Sequence, residues 1–342
     1  SDSTAVSFFS AANFLAYGNN LKVVRVVGST ANNATSSAHI QVKNEDVFEQ
    51  TYLNVNNSNT YGPFIAKYTG SLGNSIDVSV CSSSAAFSTW TYKSYFTSAP
   101  GTSTFAESVG GSNDEMHIVV VDANGLITGS AGTVLETYPF ISKAADATTN
   151  GVSNYYKQVL FQSSKYIYAV DPVQYSTTNA TWGQSSGTTF ASMTGNTTVT
   201  LVNGTDAAPT DGNLTTSYGL FNNKDVIDIS LVLTGAADTT LQNAVITGLA
   251  ASRGDCVAFV SPPQTAVVNV PGQELTNISS WLSTLNGYST YAVADSGWKY
   301  QYDKYNNKYR WLPLNGDIAG LCVFTDTVRD PWFSPAGFNR GA

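Results

Sequence analysis

The sequence contains few charged residues. Asp, Glu, Lys and Arg together make up 12% of the 342 residues, about half the share that is usual in soluble proteins. The net charge at pH 7 is -8, whereas nucleic acids and anionic membranes attract proteins with dense Lys and Arg. The composition therefore argues against a nucleic-acid partner. It also argues against membrane insertion, because no apolar run reaches the length of about 18 residues that a spanning helix needs.

Side chains that bind metals or activate nucleophiles are scarce as well. The chain has two histidines, His39 and His117, and three cysteines, without an H-x-x-x-H or C-x-x-C pair. We therefore expect no metal site. No G-x-G-x-x-G or Walker loop follows a predicted strand, so we expect no nucleotide cofactor either. The widely spaced cysteines indicate buried thiols in a reduced, intracellular folding compartment.

Two serines stand in sequences that resemble parts of catalytic sites. Ser185 lies in residues 183–187 (GQSSG), which match the G-x-S-x-G nucleophile elbow, but the polar sequence around it predicts neither the strand nor the helix that the elbow requires. Ser261 follows a predicted strand, where open α/β sheets bind ligands, but no base accompanies it and two prolines predict a rigid strand exit. We therefore predict that the chain is not an enzyme; a hydrolase that uses Ser185 is the alternative.

The missing charge is replaced by Ser, Thr, Asn and Gly, together with 19 Tyr and 16 Phe. Tyr, Thr and Val favour sheets, whereas Asn and Gly favour turns, so this mixture predicts short strands joined by many turns. It also suits a surface that touches other proteins over wide areas, because charged groups would be costly to desolvate there.

Helical and strand patterns alternate at both ends of the chain. Apolar residues at helical spacing predict helices over residues 4–17, 239–252 and 274–286. Short apolar runs predict buried strands over residues 21–27, 228–233, 256–260 and 291–294. Strands that alternate with helices indicate crossover connections. The predicted fold is thus an α/β core with a mixed, largely parallel sheet and flanking helices.

The middle of the chain has a different composition and a different pattern of apolar residues. It is rich in turns, and its strand patterns, such as residues 76–80 and 117–121, alternate apolar with polar side chains. We therefore predict a discontinuous α/β core domain of residues 1–28 and 212–342, interrupted by a large inserted β-rich domain of residues 29–211.

Residues 299–311 (KYQYDKYNNKYRW) combine cations with aromatic side chains, a pattern that also occurs in nucleic-acid-binding surfaces. Their alternation on both sides of Asn306 and Asn307 favours a β-hairpin instead, with aromatic pairs across the strands and charged groups on the other face. The acidic background supports a hairpin or protein interface over a nucleic-acid site.

Four segments resemble a known family. Residues 299–321 (KYQYDKYNNKYRWLPLNGDIAGL) and 330–341 (DPWFSPAGFNRG) are similar to the contractile tail sheath proteins of T-even-type bacteriophages. So are residues 8–27 (FFSAANFLAYGNNLKVVRVV) and 255–263 (DCVAFVSPP). These segments occur in the family's order and cover the α/β core on both sides of the insertion.

The resemblance implies a structural role. It implies a virion protein, assembled in the host bacterial cytoplasm, that stacks in helical rings around a tail tube. When the baseplate triggers contraction, subunits rearrange and drive the tube through the host envelope. The family's terminal arms add strands to neighbouring subunits. On this basis we expect a core fragment without the N-terminal arm and C-terminal domain, with its inserted domain facing outward and an outermost domain absent or reduced.

Charged residues on predicted loops and hairpins are candidates for contacts between subunits. They are Asp303, Lys304, Arg310, Arg329 and Asp330. The expected partners are copies of the same chain, the tail tube and the baseplate proteins. A different reading also stays open, in which the chain is a secreted or surface β-rich adhesin that binds glycans through its Tyr-rich domain.

Overall fold

Two units make up the chain. Unit 1 combines residues Ser1–Val26 with Pro209–Ala342, and unit 2 is Val27–Ala208. The structure, a computed structural model, describes residues 2–55, 57–173, 182–191, 195–285, 289–330 and 332–337. Both units contain helices and strands, and the mixed α/β character expected from the sequence is confirmed.

The helices of the described residues are α1 (Asp2–Leu15), α2 (Glu45–Phe48), α3 (Ser84–Phe87), α4 (Thr104–Ser108), α5 (Tyr156–Ser163), α6 (Asp211–Gly219), α7 (Thr239–Val245), α8 (Ala251–Arg253), α9 (Gln264–Val267), α10 (Glu274–Thr284) and α11 (Asn315–Val328). The strands are β1 (Asn33–Thr35), β2 (Phe64–Thr69), β3 (Ile76–Cys81), β4 (Glu115–Asp122), β5 (Thr133–Ser142), β6 (Thr148–Thr149), β7 (Val152–Ser153), β8 (Ile167–Ala169), β9 (Thr197–Thr200), β10 (Leu231–Leu233), β11 (Val257–Val260), β12 (Ala292–Ala294), β13 (Trp298–Asp303) and β14 (Lys308–Pro313).

Unit 1 is built on a three-stranded parallel sheet with the order β10-β11-β12. Its central strand is the most buried, and Ala258, Phe259 and Val260 are at most 2% exposed. Among the described residues this is the one sheet whose strands pair in parallel, since the strands of all other sheets pair antiparallel. The predicted strand over residues 21–27 is wrong as it stands, because these residues form no strand.

One face of this sheet is covered by a long helical segment. Asp238 begins it as an N-cap, with its carboxylate accepting a hydrogen bond from the Leu241 N–H (2.9 Å). The segment runs from α7 through a π-helical turn (Ile246–Ala250) into α8. It ends at Gly254, whose φ of 73° is a left-handed conformation that glycine adopts without strain. Its apolar stripe packs on the sheet.

Gln242 joins this helix to two other elements. Its side chain is fully buried, and its Nε2 donates hydrogen bonds to the carbonyl oxygens of Ala237 (2.9 Å) and Ser261 (2.7 Å). Its Oε1 accepts a hydrogen bond from the Trp281 indole N–H on α10 (2.9 Å). One amide therefore satisfies three polar groups on three segments, two of them through buried hydrogen bonds.

The opposite face of the sheet carries α1 and α11. Phe14 of α1, Phe259 of β11 and Ala319 of α11 form one buried cluster. The two helices approach closely at Gly316 and Gly320: a side chain at Gly316 would collide with the Ser10 backbone, and one at Gly320 with Tyr17. These two glycines of the DIAGL region therefore allow the distant ends of unit 1 to pack together.

Unit 2 contains a four-stranded antiparallel sheet, β5-β4-β3-β9, and a three-stranded antiparallel sheet, β1-β2-β8. A third pair, β6-β7, is short. The main core combines apolar residues of β2, β3, β4, β5 and β8 with α5. Asp122 closes β4, where it accepts hydrogen bonds from Ser75 Oγ (2.5 Å) and from Thr128 N and Oγ1 (2.7 and 2.8 Å). These bonds outweigh burial and lower the pKa of Asp122 to about 2.

His117 of β4 is fully buried in a group of aromatic rings. Its ring stacks on that of Phe96, with the centroids 4.3 Å apart. The Phe140 N–H donates to Nδ1 (3.0 Å), so the imidazole proton lies on Nε2, which donates to the Ser98 carbonyl oxygen (2.9 Å). A second proton on the imidazole would sit on Nδ1 and point at the Phe140 N–H. Burial also lowers the pKa of His117.

We expect Gln242→Leu to destabilise the protein by about 2–4 kcal/mol, because it leaves the buried Ser261 carbonyl, the half-buried Ala237 carbonyl and the Trp281 N–H without their partner. Gln264→Leu is the matched control; Gln264 is exposed, and its replacement should change stability by less than about 0.5 kcal/mol. Urea unfolding followed by tryptophan fluorescence measures both. Equal midpoints for the two variants would refute the role assigned to Gln242.

We also expect His117 to make stability fall in mild acid. Because the folded pKa lies below the unfolded value of about 6.5, its contribution is constant above that pH and is lost as the pH drops below it. Urea midpoints at about pH 7.5 and about pH 5.5 measure this loss, which reaches at most about 1.4 kcal/mol per pH unit. The loss should shrink in His117→Gln and persist in His39→Gln, whose histidine is exposed. An unchanged loss in His117→Gln would contradict the assignment.

Candidate interaction surface

The aromatic segment near the end of unit 1 forms the expected hairpin. β13 pairs antiparallel with β14, which places Tyr300 opposite Trp311 and Tyr302 opposite Tyr309. The ring centroids of these pairs are 4.9 and 5.2 Å apart, and Tyr300 also stacks on Tyr309 at 5.1 Å. The three tyrosines are 45–58% exposed. The hairpin thus presents an aromatic ladder where a solvent-facing sheet surface usually carries polar side chains.

The other face of the hairpin packs against α1. Leu312 of β14 is 1% exposed and forms a cluster with Ala5 and Phe9. Phe8 and Phe9 both contact the Tyr305 ring in the hairpin turn, at 5.9 and 6.5 Å between centroids. The hairpin is therefore fixed to the core on one face and open on the other.

Asp303 is buried at the start of the hairpin turn. Its carboxylate accepts hydrogen bonds from Arg310 Nε (2.7 Å), from Asn306 Nδ2 (2.8 Å) and from the Tyr305 backbone N–H (3.0 Å). Burial alone would raise the pKa of Asp303, but these hydrogen bonds lower it to about 2. Of the predicted contact residues, Asp303 and Arg310 are therefore brought together, and they hold the turn of the hairpin.

The other predicted contact residues lie at exposed positions. Lys304 is in the hairpin turn, with its Nζ 5.2 Å from the centroid of the Tyr305 ring. Arg329 and Asp330 follow the end of α11 and are exposed. Pro331 and residues 338–341 of the segment that resembles sheath proteins lie outside the described residues.

A second polar cluster lies at the carboxyl ends of the parallel strands, where α/β proteins commonly bind ligands. Ser261 Oγ donates to Asp295 Oδ2 (2.6 Å) and accepts from Asn315 Nδ2 (2.8 Å) and Asn315 N (3.1 Å). Asn315 also bonds both backbone groups of Gly235. Burial raises the pKa of Asp295 to about 6. We call Gly235, Ser261, Asp295 and Asn315 the clamp.

The clamp fastens α11 to the ends of β10, β11 and β12. Beside it, Lys299 Nζ on β13 forms an ion pair with Asp317 of α11 (2.6 Å). The sequence pattern points to Ser261, whereas Asp295 and Asn315 come from distant segments without a motif. Asp295 directly follows the predicted strand over residues 291–294, but Asn315 is the first residue of α11, a helix that the sequence patterns do not predict. Chemically the clamp offers a structural tie, since Ser261 is hydrogen-bonded to both of its side-chain partners.

The nucleophile-elbow match is a loop. Ser185 is buried, and its hydroxyl donates to Asp146 Oδ1 (3.0 Å), which also accepts from the Ser185 N–H (2.8 Å). Both ring nitrogens of His117 bond other groups, and His39 is exposed. The aspartate therefore fixes the loop, and Ser185 lacks the histidine neighbour that a hydrolase nucleophile uses.

Among the described residues, no three His, Cys, Asp or Glu side chains are grouped as metal ligands would be. None of the helices seen in that part of the chain has both the length and the apolarity to cross a bilayer.

Three tail sheath proteins of bacteriophages are similar to this chain. The chain is 28% identical to the tail sheath protein of Salmonella phage ViI, over 99% of this chain and 64% of that protein. It is 44% identical to the tail sheath protein of Vibrio phage KVP40 over 36% of this chain and 21% of that protein. For the tail sheath protein of Enterobacteria phage T4 the identity is 38%, over 40% of this chain and 23% of that protein. The chain thus spans less than two thirds of the length of these relatives.

Likeness to solved structures is weak. A sheath tail protein of Desulfitobacterium hafniense aligns with a TM-score of 0.39 and 11% identity, covering 92% of this chain and 49% of that one. A sheath tail protein of Listeria innocua aligns with a TM-score of 0.31 and 10% identity, covering 91% of this chain and 73% of that one. Scores this low do not define a fold.

No family model matches the chain. The three sequence relatives nevertheless carry the same name, and one of the alignments extends over nearly the whole chain. Nothing among these relatives supports a glycan-binding adhesin. The resemblance to tail sheath proteins of bacteriophages that was inferred from four segments of the sequence is therefore confirmed.

Proposed function

We propose that the chain is a non-enzymatic structural subunit of a contractile tail sheath. It polymerises in helical rings around the tail tube, above the baseplate, and contracts by rearrangement of subunits to drive the tube through the host envelope. It is a virion component, assembled in the host bacterial cytoplasm. The alignment with the ViI tail sheath protein over 99% of the chain is the observation that supports this proposal most directly.

The two units have different roles in this proposal. Unit 1, with its parallel sheet between α7 on one face and α1 and α11 on the other, is the sheath core domain. Unit 2 is the inserted domain and faces outward in the assembled sheath. The four segments that resemble sheath proteins lie in or at the edge of unit 1, which supports this division.

The interior of unit 1 suits rearrangement between rigid bodies. The clamp, Gln242 and the pair Asp303–Arg310 satisfy buried polar groups inside the subunit. Packed interiors of this kind do not deform continuously, so a change in the lattice falls on the contacts between subunits. Asp303 and Arg310 then position the hairpin, whereas the exposed Lys304, Arg329 and Asp330 contact neighbouring copies.

An antibody raised against this chain tests the location. Because a sheath subunit repeats along the whole tail, gold-labelled antibody should mark extended and contracted tails along their length in electron micrographs of the phage. A preimmune serum is the control. Labelling confined to fibre tips or to the capsid would contradict the proposal and favour an adhesin or another virion role.

Charge reversal tests the proposed contacts. Lys304→Glu combined with Arg329→Glu, introduced into the phage gene, should lower the fraction of particles with a complete extended sheath by at least about tenfold. Each exposed pair contributes only about 0–1 kcal/mol, but the loss repeats at every subunit. Lys43→Glu, also at an exposed position, is the matched control and should leave that fraction unchanged. Equal fractions in the two mutant phages would exclude Lys304 and Arg329 from the interface.

A further inference from the structure

The parallel sheet of unit 1 has an open edge at β10. The hydrogen bonds Val257 N–H to Ser230 O (2.9 Å) and Thr234 N–H to Phe259 O (3.3 Å) show that the even-numbered residues of this stretch face β11. Backbone groups alternate in direction along a strand, so those of Leu231 and Leu233 point away from β11. Tyr218 Oη donates to the Leu233 carbonyl (2.8 Å), and no strand pairs with this edge among the described residues.

A groove of about 470 Å³ runs along this edge. β10 and the preceding residues Asp228–Ser230 form one wall, and Phe14 and Val323 reach the groove from α1 and α11. Leu214, Tyr218 and Phe221 reach it from the region of α6. An apolar groove beside unpaired backbone groups has the shape and the chemistry that an additional β-strand requires.

Residues 21–26, all but Arg25, line the same groove. Their sequence, LKVVRV, has strong strand propensity, yet the segment forms no strand and Val23 is 75% exposed. The segment begins beside the edge of β10, because Leu21 packs in the same cluster as Leu231 and Leu233. A predicted strand and an unpaired strand edge therefore lie on the two sides of one groove.

The apolar side chains of this segment would alternate between the two faces of the sheet in an extended chain. Leu21 and Val23 share a face in an extended chain, which is the face of Leu231, Leu233 and α11. Val24 and Val26 would lie on the face of Val232, Tyr218 and Phe221. Lys22 and Arg25 supply the charge by which edge strands avoid pairing with other chains.

We propose that residues 22–26 close onto the edge of β10 as a fourth strand, with Leu21 as the hinge. The open groove and the closed sheet are two states of unit 1. Closure buries Val23 and covers the backbone groups of Leu231 and Leu233. In the open state this edge is exposed to strands of other chains, so the segment controls access to it. This inference does not depend on the proposed function.

Amide hydrogen exchange tests the pairing. Closure protects the Leu231 and Leu233 amides, and Val24→Pro, which removes an N–H and cannot pair normally, should make them exchange at least about tenfold faster. The Phe259 and Val260 amides of the central strand should not change, which distinguishes local opening from global unfolding. Unchanged exchange at Leu231 and Leu233 in Val24→Pro would overturn the proposal. Protection that rises with protein concentration would also overturn it, because it would come from a second chain.

Cysteine labelling tests the burial of Val23. Val226 has the same 75% exposure, so Val23→Cys and Val226→Cys form a matched pair. Closure should make a maleimide react with Val23→Cys at least about tenfold more slowly, as located by peptide mapping, and adding Val24→Pro should restore the faster rate. Equal rates for the two single variants would overturn closure.

Discussion

The organisation of unit 1 depends on the burial of a small parallel sheet on both faces. Its strands have only three or four residues, too few to be stable without helices packed above and below. The helix that begins at Asp238 follows β10 directly and covers one face by a local connection. The other face needs α1 and α11, which lie at opposite ends of the chain. Close contact at Gly316 and Gly320 makes that long-range packing fit.

Local patterns in the sequence predicted the elements that local physics determines. The apolar stripe of residues 239–252 and the run at 256–260 both correspond to observed elements. The hairpin was predicted with its aromatic pairs, because alternation and the Asn306-Asn307 turn specify the register. Each of these signals lies within a few residues of the structure it determines.

The features that sequence patterns missed depend on partners far along the chain. Residues 21–27 have the composition of a strand, but pairing needs a neighbour, and β10 is more than 200 residues away, so propensity alone does not place them. Likewise, Asp295 and Asn315 acquire their role only where Ser261 meets them. The sequence predicts Asp303 and Arg310 as charges that contact other subunits, whereas the hairpin register brings their side chains together inside the subunit.

The distribution of polar groups in unit 1 connects the fold to assembly. Groups that pair inside the subunit, such as the clamp and Asp303–Arg310, lie in a low-dielectric environment where breaking them is costly. Exposed groups such as Lys304 and Arg329 are screened by solvent, so an ion pair that either of them forms is weak. In the proposed sheath, a subunit built in this way would keep its own structure while its contacts with neighbours exchange. A polymer that changes its lattice needs this order of strengths, because the weaker set of contacts must give way before the stronger set does.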